Sequence, residues 1–205
     1  MAQKKQMLMD QGYSTQEITK ILASDGIGLT EVFKLDAKSN VDPPTRITDL
    51  VFIQPSKDHP QGEEVRFADK LGKKKIVLVV TRGFSGGSIC PFCSAQTAQL
   101  AAKHQEFKEL DAEVFIVYPG SRERLSDFIA AATGDELAEI ADVKWPVLLD
   151  PDLAAVELLD IAADLASPST FIFDSRGEVA FAYVGNSASD RPSVQMLLEK
   201  VKQLD

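Results

Sequence analysis

The sequence predicts an α/β protein in which a central mixed β-sheet is flanked by helices and preceded by an N-terminal helical extension. Three observations predict it. Apolar, β-branched runs at 76–80 and 113–118 bracket a helical pattern, two further strand-like runs between 170 and 185 are joined by a tight turn, and both cysteines of the chain fall where a Gly-rich loop passes into a helix. The 205 residues, 44% hydrophobic and 26% charged, suffice for one folded domain with an extension.

Taken in chain order, "YSTQEITKILASDG" opens on a capping box. Ser14 is followed three residues later by Glu17, and Ile18, Ile21 and Leu22 share one helical face, so a short helix is expected to end before Gly26. "DAKSNVDPPTRITD" is rich in turn-forming Asp, Asn and Pro and reads as a linker, which divides the chain into an extension at 1–45 and a domain at 46–205. "IVLVV" from Ile76 has the pattern of a strand buried on both faces, and "RGFSGGS" is the loop that leaves it. Leu100, His104, Phe107 and Leu110 recur at helical spacing, and "EVFIVY" returns as a second buried strand, which together make a parallel crossover.

A third cycle follows. "SRERLSDFIAAA" turns Leu125, Phe128 and Ile129 inward and stops at Gly134; "WPVLLD" is a short strand and "DLAAVELLDI" a helix. "TFIFD", the turn "SRGE" with Gly177, and "VAFAYVG" form a β-hairpin, after which Asp190 as cap and Pro192 open a last helix, "SVQMLLEKVKQ".

Composition excludes several functions. With 22 Lys plus Arg against 31 Asp plus Glu, the charge of −9 repels a phosphate backbone, so no nucleic-acid partner is expected; Lys73, Lys74 and Lys75 read as a solvated strand entrance. No apolar run approaches the ~20 residues of a membrane span. Lys4 and Lys5 are followed by a stretch too polar for a secretory signal, and a cytoplasmic location is expected.

Cys90 and Cys93 are the only cysteines, separated by Pro91 and Phe92. At the start of a helix, unpaired N–H groups and the helix dipole favour thiolate over thiol, which makes Cys90 the expected nucleophile. Cys93 lies one turn deeper and is placed to close a disulfide with it, while Pro91 occupies a first-turn position that needs no N–H. The bland alternatives are two core-filling thiols or half a zinc site. Zinc needs about four ligands, and the chain adds just His59 and His104, which are not spaced as a ligand pair, so neither metal nor cofactor is expected.

"CPFC" after "VLVVTRG", then "WPVLLDPDLAAV" and "SPSTFIFDSRGEVAFAYVG", resemble the thioredoxin fold in its peroxiredoxin-like AhpC/TSA branch, over roughly residues 48–203. The resemblance implies that the proline entering the hairpin strand, Pro168, is cis, and that it and Ser167 offer backbone groups to substrate beside the cysteines. It also implies peroxide or disulfide substrates and resetting by a dithiol reductant such as thioredoxin or glutaredoxin. The sequence departs from the family where a proline and a threonine or serine usually precede the reactive cysteine, since those places hold Gly83 and Gly87; Ile89 stands where thioredoxins carry tryptophan.

Other residues are weighed against these. Arg82, just after the first strand, is a candidate to hold a developing anion, weighed against the commoner reading of a solvated loop arginine. Arg191 is accounted for by the neighbouring Asp190 cap, Trp145 by packing on the sheet, and His104 lies too far along its helix for proton transfer to the cysteines. The leading reading is a peroxiredoxin-like thiol oxidoreductase with Cys90 attacking and Cys93 resolving. Two alternatives stay open: a protein-disulfide oxidoreductase without peroxidase activity, and a non-enzymatic redox sensor or scaffold that docks a partner through its N-terminal helix.

Overall fold

A computed structural model describes residues 33–85 and 88–204. The helix expected between Ser14 and Gly26 lies outside these residues. A seven-stranded mixed sheet forms the centre. Its strands are β1 (Val51–Gln54), β2 (Glu63–Arg66), β3 (Lys75–Val80), β6 (Ala112–Pro119), β7 (Val147–Asp150), β8 (Ser169–Phe173) and β9 (Val179–Val184), in the order β2–β1–β7–β6–β3–β8–β9. The central strands β3, β6 and β7 run parallel, and the flanking pairs are antiparallel. The sheet thus matches the expected mixed architecture.

Period-two alternation in fully apolar strands sorts the core into two layers. Val77, Val79, Val114, Ile116 and Tyr118 face one way, with Leu100, Phe107, Phe128, Leu197 and both cysteines. That layer is covered by α1 (Pro91–Ala102), α2 (His104–Glu109), α3 (Leu125–Thr133) and α5 (Val194–Lys202). Ile76, Leu78, Val80, Phe115 and Val117 face the other way, against α4 (Ala154–Leu158) and a group of phenylalanines. Phe67 is the hub of this second layer, with its ring edge-on to Phe52, Phe115 and Phe173 at centroid distances of 6.1, 6.1 and 5.5 Å.

Asp150 links strand to helix. Its buried carboxylate, at the end of β7, accepts hydrogen bonds from the Ala155 and Val156 N–H groups at 3.1 and 3.0 Å and so caps α4. Burial nonetheless pushes this carboxyl above the ordinary value.

Several local expectations need correction. The Gly-rich loop after β3 contains a small hairpin, β4 (Phe84–Ser85) with β5 (Ser88–Ile89). The last helix is capped by Ser193, whose Oγ accepts from the Met196 N–H at 3.1 Å; Asp190 instead pairs with Lys34 at 2.7 Å and accepts from the Tyr183 hydroxyl at 2.6 Å. Ser193 holds the N-cap position, three residues beyond Asp190, which leaves that carboxylate to the Lys34 ammonium and the Tyr183 hydroxyl. The Ser167–Pro168 bond is trans, since no cis peptide occurs among the described residues, and trans is the intrinsically favoured X-Pro isomer.

Part of the stretch read as a linker lies on the domain. The Asn40 side chain both donates to the Val184 carbonyl and accepts from its N–H, at 2.8 and 2.9 Å, and the Asn40 N–H donates to the Ala182 carbonyl. This covers the open edge of β9, whose unpaired groups would otherwise invite a foreign strand.

Candidate dithiol site

The crossover from β3 to α1 brings the two cysteines to the C-terminal end of the parallel strands, where the loops of an open α/β sheet converge. Cys90 is the N-cap residue of α1, with extended backbone (φ −65°, ψ 113°), and Pro91 takes the first helical position. Its carbonyl accepts from the N–H groups of Cys93 and Ser94 at 3.0 and 3.2 Å, which fixes the first turn. Both cysteines are reduced and buried, Cys90 at 6% exposure and Cys93 at 1%.

The pair is electrostatically asymmetric. The Cys93 thiol donates a hydrogen bond to the Cys90 sulfur, and that bond is the largest influence pulling Cys90 down to about 5, against the opposing effect of burial. The Arg191 charge and the backbone N–H groups of Cys93 and Phe92 pull the same way. Burial in the core, reinforced by the bond it gives to Cys90, pushes Cys93 well above the ordinary thiol value. One sulfur is therefore held as thiolate while its neighbour keeps the proton.

The cation beside them is Arg191. It is 1% exposed; its guanidinium donates from Nη2 to the Cys93 sulfur at 3.6 Å and from Nη1 to the Gln96 Oε1 at 2.7 Å, and both Nε and Nη2 donate to the Ala188 carbonyl. Among the described residues it makes no ion pair with a carboxylate. An uncompensated charge is costly in a protein interior, and the dithiol supplies the anion that offsets it.

Arg82 meets the dithiol through its backbone and not its guanidinium. Its backbone N–H donates to the Cys93 sulfur at 3.3 Å, while its guanidinium turns outward to Asp164 at 3.4 Å. The buried cation at the dithiol is Arg191, from the loop before the last helix. Sequence reasoning misses Arg191, because the neighbouring Asp190 accounts for the motif and no local signal links it to the cysteines.

Pro168 and Ser167 enter β8, whose first residue, Ser169, pairs with Val80 at the end of β3, so they lie at the same end of the sheet as the cysteines. Their backbone groups already have partners within the chain. The Ser167 N–H donates to the Ile161 carbonyl at 2.8 Å, the Ser167 carbonyl accepts from Ser169 Oγ at 2.9 Å, and the Pro168 carbonyl accepts from the Gly185 N–H at 2.8 Å. Tyr118, at the end of β6, has a fully buried hydroxyl with no hydrogen-bond partner among the described residues. Burial raises its pKa to about 12, so it stays a neutral donor.

His104 and Trp145 pack edge to face at 5.6 Å and 70°, on the sheet layer of the cysteines but separate from them. Burial, with Lys108 and Lys144 nearby, lowers the His104 pKa, in keeping with a structural position. None of the described helices is long and apolar enough to cross a membrane.

Comparisons with known proteins agree with this fold. The AhpC/TSA family model matches residues 52–182. Similar solved structures include the bacterioferritin comigratory protein of Xanthomonas campestris, with TM-score 0.55 and 17% identity over 80% of this chain and 96% of that one. The mitochondrial 2-Cys peroxiredoxin of Plasmodium falciparum aligns with TM-score 0.59 and 15% identity over 74% and 87%. Enterococcus faecalis AhpC gives TM-score 0.58 and 18% identity over 75% and 87%. A comparison with curated protein sequences returns no significant match. The family match spans well over half the chain, across the strands and the cysteine-bearing helix described above, and the chain belongs to the AhpC/TSA family, with a thioredoxin-like fold of peroxiredoxin type and thiol oxidoreductase chemistry.

Proposed function

We propose that the protein reduces peroxides through Cys90, with Cys93 as resolving thiol and Arg191 as the fixed counter-charge. The observation that carries this reading is the dithiol itself: a low-pKa sulfur at a helix mouth accepting a hydrogen bond from a protonated sulfur one turn away, with a buried cation that pairs with no carboxylate among the described residues. The chemistry follows from that distribution of charge. The Cys90 thiolate attacks the terminal oxygen of a peroxide, the O–O bond breaks, and Cys90 becomes a sulfenic acid while alkoxide or hydroxide leaves. The leaving oxygen takes the Cys93 proton, delivered from the nearest S–H. The Cys93 thiolate so formed is stabilised by Arg191 and the Arg82 N–H, attacks the Cys90 sulfur and expels hydroxide, which leaves as water after protonation by solvent. An external dithiol, of the thioredoxin or glutaredoxin kind, supplies the two electrons that restore both thiols.

Enclosure favours a small oxidant. With Cys90 at 6% exposure, a peroxide reaches the sulfur far more readily than a disulfide carried by a folded protein, whose sulfur must align with the attacking one. The roles of residues 1–45 as extension and 46–205 as catalytic domain belong to the same proposal.

The test is to treat the reduced full-length chain with one equivalent of an alkyl hydroperoxide, quench with a maleimide and map the thiols by mass spectrometry. A Cys90–Cys93 disulfide within seconds is expected in the wild type, a sulfenic acid at Cys90 in Cys93→Ser, and no oxidation in Cys90→Ser. Reduction of insulin disulfides by a chain that leaves peroxide untouched overturns the peroxide assignment.

A further inference from the structure

A buried guanidinium keeps one position only when its surroundings hold it, and much of what surrounds Arg191 comes from the far N-terminal side of the described chain. The Phe33 ring, 2% exposed, lies under the guanidinium with the cation 5.9 Å from the ring centroid. Lys34 forms a parallel bridge to the same loop: its N–H donates to the Arg191 carbonyl and its carbonyl accepts from the Ser193 N–H, both at 2.9 Å. Its ammonium pairs with Asp190 at 2.7 Å and also donates to the Tyr183 hydroxyl, which in turn donates to Asp190. The other Asp190 oxygen accepts from the Asn186 N–H at 2.9 Å. The residues on either side of Arg191 are thus pinned by Lys34, and its side chain is floored by Phe33.

We propose that Phe33 and Lys34 are positioning residues for Arg191, so that the segment entering the domain sets how firmly a positive charge is held against the Cys93 sulfur. Neither residue touches the sulfurs. Both act through the guanidinium, and the inference rests on the reading above that Arg191 acts on the dithiol. A consequence is that anything pulling the N-terminal segment off the β9 edge loosens Arg191 and lowers the reactivity of Cys90.

The experiment uses the full reduced chain and measures the pH midpoint of Cys90 alkylation by iodoacetamide, with a thermal melt of each variant alongside. Arg191→Gln is expected to raise the midpoint by about one unit, which is about tenfold less thiolate at a pH below both midpoints. Lys34→Ala and Phe33→Leu are expected to shift it in the same direction, with roughly two- to fivefold less thiolate, the size of the contacts removed. Lys34→Arg, which retains the ion pair, restores the wild-type midpoint. Lys34→Ala added to Arg191→Gln gives no further shift, because the effect passes through the guanidinium. Should the Lys34 variant melt early, Phe33→Leu, which keeps most of the buried volume, carries the same test.

An unchanged midpoint in Lys34→Ala and Phe33→Leu while Arg191→Gln shifts overturns the positioning role alone, as does an equal Lys34→Ala shift in both backgrounds. An unchanged midpoint in Arg191→Gln itself overturns the electrostatic role of Arg191 and, with it, the inference.

Discussion

Replacing Cys93 separates the two tasks proposed for it, holding the Cys90 thiolate and resolving the oxidised product. Cys93→Ala removes the S–H that donates to Cys90, the largest single influence lowering that sulfur. A hydrogen bond to a charged group contributes about 1.5 to 3 kcal/mol, and 1.36 kcal/mol corresponds to one pKa unit, so Cys90 is expected to move from about 5 to roughly 6 to 7. For a rise of ~1.5 units the thiolate fraction at pH 6 falls from roughly 0.9 to roughly 0.25, which is about fourfold slower alkylation by iodoacetamide. Cys93→Ser keeps an O–H donor at the same position and is expected to hold the midpoint near the wild-type value while abolishing disulfide formation. Each variant carries one cysteine, so mass spectrometry of the alkylated protein reads Cys90 without deconvolution. Identical midpoints in the alanine and serine variants would refute the hydrogen-bond argument and leave the helix mouth and Arg191 as the sources of acidity.

Two further outcomes follow from the structure. Gly185 lies where the 186–190 loop folds back, and a Cβ there would meet the Asp190 carbonyl oxygen at 1.9 Å, so Gly185→Ala must displace the loop that carries Arg191. A loss of about 1 to 3 kcal/mol, or roughly 3 to 10 °C in melting temperature, is expected together with a raised Cys90 midpoint, checked by calorimetry and alkylation. Because the folded-state pKa of Cys90 lies below its value in an unfolded chain, its ionisation contributes stability in full above the ordinary thiol pKa of 9.0, and that contribution is lost as pH falls toward about 5. The melting temperature of the reduced wild type is therefore expected to rise relative to Cys90→Ser as pH increases across that window; parallel curves would contradict the shift.

What could be read from the sequence tracks how local each signal is. The strands β3, β6 and β9 announce themselves as apolar runs of five or more residues and β8 as the shorter run Phe171–Phe173, because each signal lies within one element, whereas the single helical stripe through Leu100 and Phe107 is divided between α1 and α2. The β1–β2 hairpin escapes because "VFIQ" and "EEVR" are four residues each, with β2 mostly exposed and charged. Arg191 escapes for a different reason. It meets Cys93 across 98 positions of sequence, and nothing in "SDRPS" indicates which way its guanidinium turns. Asp190 reads as a cap by spacing, yet Lys34 and Tyr183 claim it from distant parts of the chain. Cys90 and Cys93 were legible because motif and site coincide in one helical turn.

That coincidence also governs how the protein behaves in bulk. In the proposed reaction the attacking and resolving sulfurs belong to the same chain and the same stretch of backbone, so ring closure is unimolecular and its rate is independent of protein concentration. Oxidised protein is therefore expected to run without a covalent dimer ladder on a non-reducing gel. A dilute preparation and a crowded one are expected to close the disulfide equally fast once Cys90 is oxidised, and only the encounters with peroxide and with the electron donor depend on concentration.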